Sequence, residues 1–93
     1  MTLAFPNPAR SFDEVRNAVR FFGHDGMFEI RFFVEAEALA EGRARAAGMS
    51  AAQCLSAFDA MRAPIYDAAR RVYAKHRRNS NTLTASDFGR ARG

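Results

Sequence analysis

Ninety-three residues make one domain, near the low end of what folds unaided. Fourteen basic against ten acidic side chains leave a formal charge of +4, while 48 % apolar residues with only 6 Gly and 3 Pro exclude a disordered or collagen-like chain. The longest bulky apolar run, Phe32-Phe33-Val34, falls far short of the roughly 20 residues of a membrane span, so a soluble domain covering 1–93 is expected.

In chain order, Thr2-Leu3-Ala4-Phe5 alternates polar and apolar before Pro6-Asn7-Pro8, as a short edge strand stopped by prolines would. Ser11-Phe12-Asp13-Glu14 reads as a turn, because Ser and Asp bond nearby backbone amides. Ala18–Phe22 and Met27–Phe33 form a strand pair. Val19 and Phe21 recur at period two, as do Phe28, Ile30 and Phe32, which leaves Arg20, Glu29 and Arg31 on the solvent face, positioned to pair across the strands. Gly23-His24-Asp25-Gly26 supplies the reversal of a β-hairpin.

From Glu35 the pattern turns helical. Glu35, Glu37 and Glu41 precede Arg43 and Arg45, the order the helix dipole prefers; Gly42 weakens the middle and Gly48 stops the run. Ser50-Ala51-Ala52-Gln53 is a capping box, with Met49 and Cys54 spaced as a hydrophobic staple. The stripe Leu55, Phe58, Met61, Ile65, Ala68 or Ala69, Val72 then keeps a three-to-four spacing. Pro64 removes one backbone donor and crowds residue 60, predicting a kink or break; the unbroken phase of the stripe favours the kink. Thr82-Leu83 fits a short strand, Thr84-Ala85-Ser86-Asp87 has capping-box spacing, and 89–93 reads as a frayed tail. The expected fold is α+β: a small antiparallel sheet built around the hairpin, packed by two main helices.

The likeness of Leu3-Ala4-Phe5-Pro6, Val19-Arg20-Phe21-Phe22-Gly23-His24-Asp25-Gly26, Phe33-Val34-Glu35-Ala36 and Ala57-Phe58-Asp59 to a known pattern goes further. With Arg62, Ile65, Ala69, Tyr73 and Leu83-Thr84-Ala85-Ser86-Asp87-Phe88, the chain resembles, over roughly residues 3–88, the short proteobacterial family catalogued as domain of unknown function 1488. That resemblance implies an α+β domain with helices on a small antiparallel sheet. It implies no activity and brings no catalytic residues. Pro64 interrupts what the family reads as one continuous helix.

Charge is distributed unevenly. Residues 1–46 carry six basic against seven acidic groups, and residues 47–93 carry eight against three. Such asymmetry suggests an acidic partner for the second half, although the 13 Arg and 19 Ala also follow from GC-rich coding alone. Arg70, Arg71, Arg77 and Arg78 fall on one helical face, able to line a phosphate backbone; the alternative is a solvated face complementing the helix C-terminus. Tyr66 and Tyr73, seven apart, share a face and suit either a protein interface or the core margin.

Catalysis finds little support. His24-Asp25 is superficially like part of a metal phosphohydrolase site, but only His76 remains as a further histidine, and a turn explains Asp25-Gly26. Cys54, one turn into a helix, has no histidine placed beside it. One Cys and two His do not assemble a zinc site, and a single Cys forms no internal disulfide. Met1–Arg10 lacks the basic-then-apolar layout of a leader, which points to the cytoplasm. The expectation is therefore a basic, non-enzymatic interaction module without cofactor or metal, with a second copy or another protein as partner. The alternative is a sequence-indifferent nucleic-acid binder using the arginine face.

Overall fold

The structure, a computed structural model, describes residues 3–40 and 43–88, with the backbone alone at 43 and 44. The expectations placed on Thr2, Glu41, Gly42 and the 89–93 tail lie outside the described residues. Among the described residues five strands form one sheet: β1 (Leu3–Ala4), β2 (Arg10–Asp13), β3 (Ala18–Asp25), β4 (Phe28–Glu35) and β5 (Ser80–Leu83). Between β4 and β5 come α1 (Ala36–Ala40), α2 (Arg43–Ala47), α3 (Ala51–Ala60) and α4 (Arg62–His76); a 3₁₀ turn, Ala85–Phe88, follows β5. The α+β class stands.

The hairpin is longer than its local sequence suggests. β3 and β4 pair antiparallel from Ala18↔Glu35 to Asp25↔Phe28, so Gly23, His24 and Asp25 belong to the strand and not to the turn. The reversal needs two residues, Gly26 and Met27. Gly26 takes φ +62°, a conformation open to glycine at no steric cost, as at the first central position of a II′ turn. Nor do Arg20, Glu29 and Arg31 pair with one another: they face Phe33, His24 and Phe22 respectively. Arg20 lies over the Phe22 ring at 5.7 Å, and Arg16 covers the buried Phe33 ring at 4.2 Å.

Ser11 and Phe12, read as a turn, are strand residues: β2 pairs antiparallel with the base of β3, while β1 pairs with its hairpin end. The reversal lies one step later, at 14–17, where Asp13 Oδ1 accepts from the Arg16 amide (3.1 Å) and Asn17 takes φ +52°. Sheet order is β1-β3-β4-β5, with β2 also on β3, and β5 runs parallel to β4. The sheet is therefore mixed and not wholly antiparallel, because the chain returns to β5 through a helical crossover.

One face of the sheet carries the core. Val19, Phe21, Ile30, Phe32, Val34 and Leu83 are buried against Phe58, Ile65, Ala68 and Ala69 of the helical layer. Ser50 and Gln53 form the expected reciprocal cap: the Gln53 amide donates to Ser50 Oγ (3.1 Å) and the Ser50 amide to Gln53 Oε1 (2.8 Å). Such caps contribute about 1 kcal/mol. Cys54 is fully buried and Met49 packs against the same cluster, as the staple requires.

The predicted kink is a break, centred on Met61 and three residues ahead of Pro64. Met61 leaves helical geometry (φ −115°, ψ 20°), closing α3 by donating to the Ala57 and Phe58 carbonyls. Pro64 then occupies the first turn of α4, where a missing N–H costs nothing. The apolar stripe keeps phase because both helices press on the same sheet, not because they are continuous.

Candidate functional site

Arg77 ends α4 in the left-handed conformation (φ +50°), its amide donating to the Tyr73 carbonyl at 2.8 Å. The chain then turns into β5, held by Asn81 Nδ2 donating to the Arg78 carbonyl (2.8 Å). After β5 the 3₁₀ turn is capped from inside: Asp87 Oδ2 accepts from the Thr84 amide (2.7 Å) and from Thr84 Oγ1 (3.2 Å). Arg71 Nη2 fastens this turn back to α4 through the Asp87 carbonyl at 2.9 Å.

Between these three pieces lies an open, largely polar cleft of about 520 Å³. Arg71, Val72, Lys75 and His76 form the α4 wall, Arg78, Ser80, Asn81 and Thr82 the strand side, and Ser86 and Asp87 the far rim. Lys75 and Arg78 are exposed cations, Arg71 uses one of its five donors on Asp87, and the Asp87 carboxylate serves Thr84. The cleft therefore presents a positive field to an incoming anion.

The four arginines that share a helical face in the sequence divide in space. Arg71 and Arg78 line the cleft. Arg70 reaches the opposite way, donating to the Leu3 carbonyl (3.3 Å) and to Asp67 (3.2 Å) and covering the Phe5 ring at 5.1 Å. Arg77 lies 6.0 Å from the Tyr73 ring. Lys75, Ser80 and Thr82 join the site only because the parallel return sets β5 beside α4.

Both tyrosines are tied into the fold. Tyr66 stacks on Phe5 (4.1 Å between centroids, planes 3° apart) and accepts from Arg62 Nη1 at 2.7 Å. Tyr73 is buried and donates to Asp25 Oδ2 at 2.6 Å, joining α4 to the end of the hairpin. That bond to a carboxylate raises the phenol above its ordinary range.

His24 and Asp25 are consecutive in a strand, so their side chains point to opposite faces and do not converge on one ion. Cys54 has no exposed surface, and burial pushes its thiol up, away from the reactive thiolate. The folded protein should accordingly react with an aromatic disulfide reagent only as fast as it opens. Full labelling in urea with slow labelling in buffer is the expected pattern, and equal rates in both would contradict the burial.

Another cluster, unread in the sequence, sits over the α3–α4 junction. Asp59 receives Arg10 Nε and Nη2 (3.1 and 2.7 Å) and Arg62 Nη2 (2.8 Å), while Arg62 also donates to the Pro8 carbonyl (2.9 Å). A carboxylate near a helix C-terminus is unfavourable alone. Here the Arg10 hydrogen bond, assisted by Arg62, holds Asp59 below its usual carboxylate value. Its stabilisation is thus complete above the ordinary value of about 3.9 and is lost as pH falls through the depressed folded value. Urea midpoints between pH 6 and pH 2 should fall less steeply for Asp59→Asn than for the parent; parallel curves would exclude this linkage.

This α+β domain of five strands, with a basic cleft at the sheet margin, matches the family described as protein of unknown function (DUF1488) over residues 3–84. The chain belongs to that family. No curated protein and no solved structure matches it. Among the described residues, no helix is long and apolar enough to cross a membrane.

Proposed function

We propose that the domain is a cytoplasmic, non-enzymatic interaction module that engages an anionic partner through the cleft of Arg71, Lys75 and Arg78. The observation carrying this reading is the convergence of those cations around one concave surface, where Asp87, the one acidic residue among the described residues lining it, is already hydrogen-bonded to Thr84. The inaccessible Cys54 and the diverging His24 and Asp25 support a binding role over a chemical one.

Two probes test it: a Glu-rich peptide and a short oligothymidylate, each followed by fluorescence anisotropy. At least one should bind, with the double variant Arg71→Glu/Arg78→Glu weakening it by at least about tenfold. For three neutralised phosphates, oligothymidylate affinity should fall roughly 10- to 20-fold between about 50 and 200 mM salt. Binding of neither probe at low salt would remove the proposal.

A specific feature favours self-association as a second reading: Met27 and Phe28, adjacent at the hairpin tip, are 98 % and 72 % exposed. Sedimentation over a wide concentration range decides it, since a monomer at all concentrations would exclude it.

A further inference from the structure

We infer that β5 is a docking edge at which an extended, carboxylate-bearing segment of a partner protein adds one strand to the sheet. This rests on the cleft reading above and names its ligand. β5 has β4 on one side and, among the described residues, no strand on the other. In a parallel ladder, alternate residues of a strand bond to the same neighbour. The Arg31 amide donates to the Asn79 carbonyl (2.8 Å), which fixes the phase: Asn81 and Leu83 direct their backbone groups to β4, and Ser80 and Thr82 direct theirs outward. Neither Ser80 nor Thr82 has a backbone partner on that outward side among the described residues. Both are exposed, and both line the cleft.

An open row of donors and acceptors, walled by α4, is the surface that β-strand addition uses. Main-chain bonding supplies affinity there, and side chains flanking the edge select the partner. Arg71, Lys75 and Arg78 select acidic side chains. They also disfavour two β5 edges pairing with each other, because that would bring the same cations together. Single-stranded nucleic acid fits less well: its sequence-indifferent binders stack successive bases on several aromatic rings, and among the described residues the His76 imidazole is the one ring lining this cleft.

The test uses the whole chain and a labelled peptide of about ten residues alternating Glu and Thr, long enough to cover a four-residue edge. The peptide should bind, and saturation should slow hydrogen exchange at the Ser80 and Thr82 amides by at least about tenfold. The same peptide is made with alternate amides N-methylated in each of the two registers, and the one whose methyl groups face β5 should bind at least about tenfold more weakly, since its lost donors cannot pair with that edge. Unchanged affinity of both methylated peptides, or unprotected Ser80 and Thr82, overturns the strand-addition inference. If oligothymidylate alone binds, and does so through Arg71 and Arg78, strand addition falls while the cleft reading survives. If neither probe binds, both fall.

Discussion

Phe21→Ala is expected to cost about 3–5 kcal/mol of folding stability. The Phe21 ring is 1 % exposed and stands at the centre of the aromatic cluster, 5.3 Å from Phe32, 5.1 Å from Phe58, 5.7 Å from Tyr66 and 6.1 Å from Phe5. Those neighbours come from the N-terminal segment, β4, α3 and α4, so no single element can shift to fill the space without unseating another. Small domains hold only about 5–15 kcal/mol in total, and each kcal/mol moves the midpoint of a domain this size by about 4–8 °C. Thermal and urea unfolding of the variant would show the loss directly. A cost below about 1 kcal/mol would mean that the helical layer does not bear on the hairpin as described.

Gly23→Ala, a single added methyl, should cost about 1–3 kcal/mol. A Cβ at position 23 would sit 2.9 Å from Phe5 Cε1, 3.1 Å from Leu3 Cδ1 and 3.3 Å from Phe32 Cε2. Phe5 cannot easily retreat, because Tyr66 stacks on it at 4.1 Å and Arg70 lies 5.1 Å from its ring. Combining Gly23→Ala with Phe5→Ala should therefore cost less than the sum of the two single changes. Strict additivity would contradict the close approach.

Gly23 also marks where local reading of the chain ends. In Gly-His-Asp-Gly it has the composition of a turn, yet its lack of a side chain serves a strand over which Phe5 passes. Only the tertiary path of residues 3–5 distinguishes the two roles. β2 is similarly hidden: Arg10-Ser11-Phe12-Asp13 has a single apolar residue, and its strand conformation is imposed by the open edge of β3. Where local signals agreed with packing, as in the Ser50–Gln53 cap and the alternation of β3 and β4, the structure follows the sequence closely. Pro64 did signal an interruption, but the chain leaves helical geometry at Met61 and uses the proline to restart.

The candidate site was half legible. Its cations were evident as an arginine-rich stretch, but helical spacing alone could not show that Arg70 is claimed by Leu3 and Asp67, or that Arg77 turns to the left-handed cap beside Tyr73. Nor could local pattern give the direction of β5. A short strand can join either edge in either sense, and only its parallel placement beside β4 brings Ser80 and Thr82 under α4. The Asp59 cluster has no local signature, because its two arginine partners are 49 and 3 residues away, one of them on a strand that the sequence does not announce.

Amide chemical-shift mapping with the Glu–Thr peptide tests most directly whether the marginal cleft is where this domain meets its partners. Perturbations gathered on residues 71–87, with the Met27–Phe28 tip silent, are the outcome expected. Shifts centred on the hairpin tip or the open sheet face, with residues 71–87 unmoved, would place recognition elsewhere on the molecule.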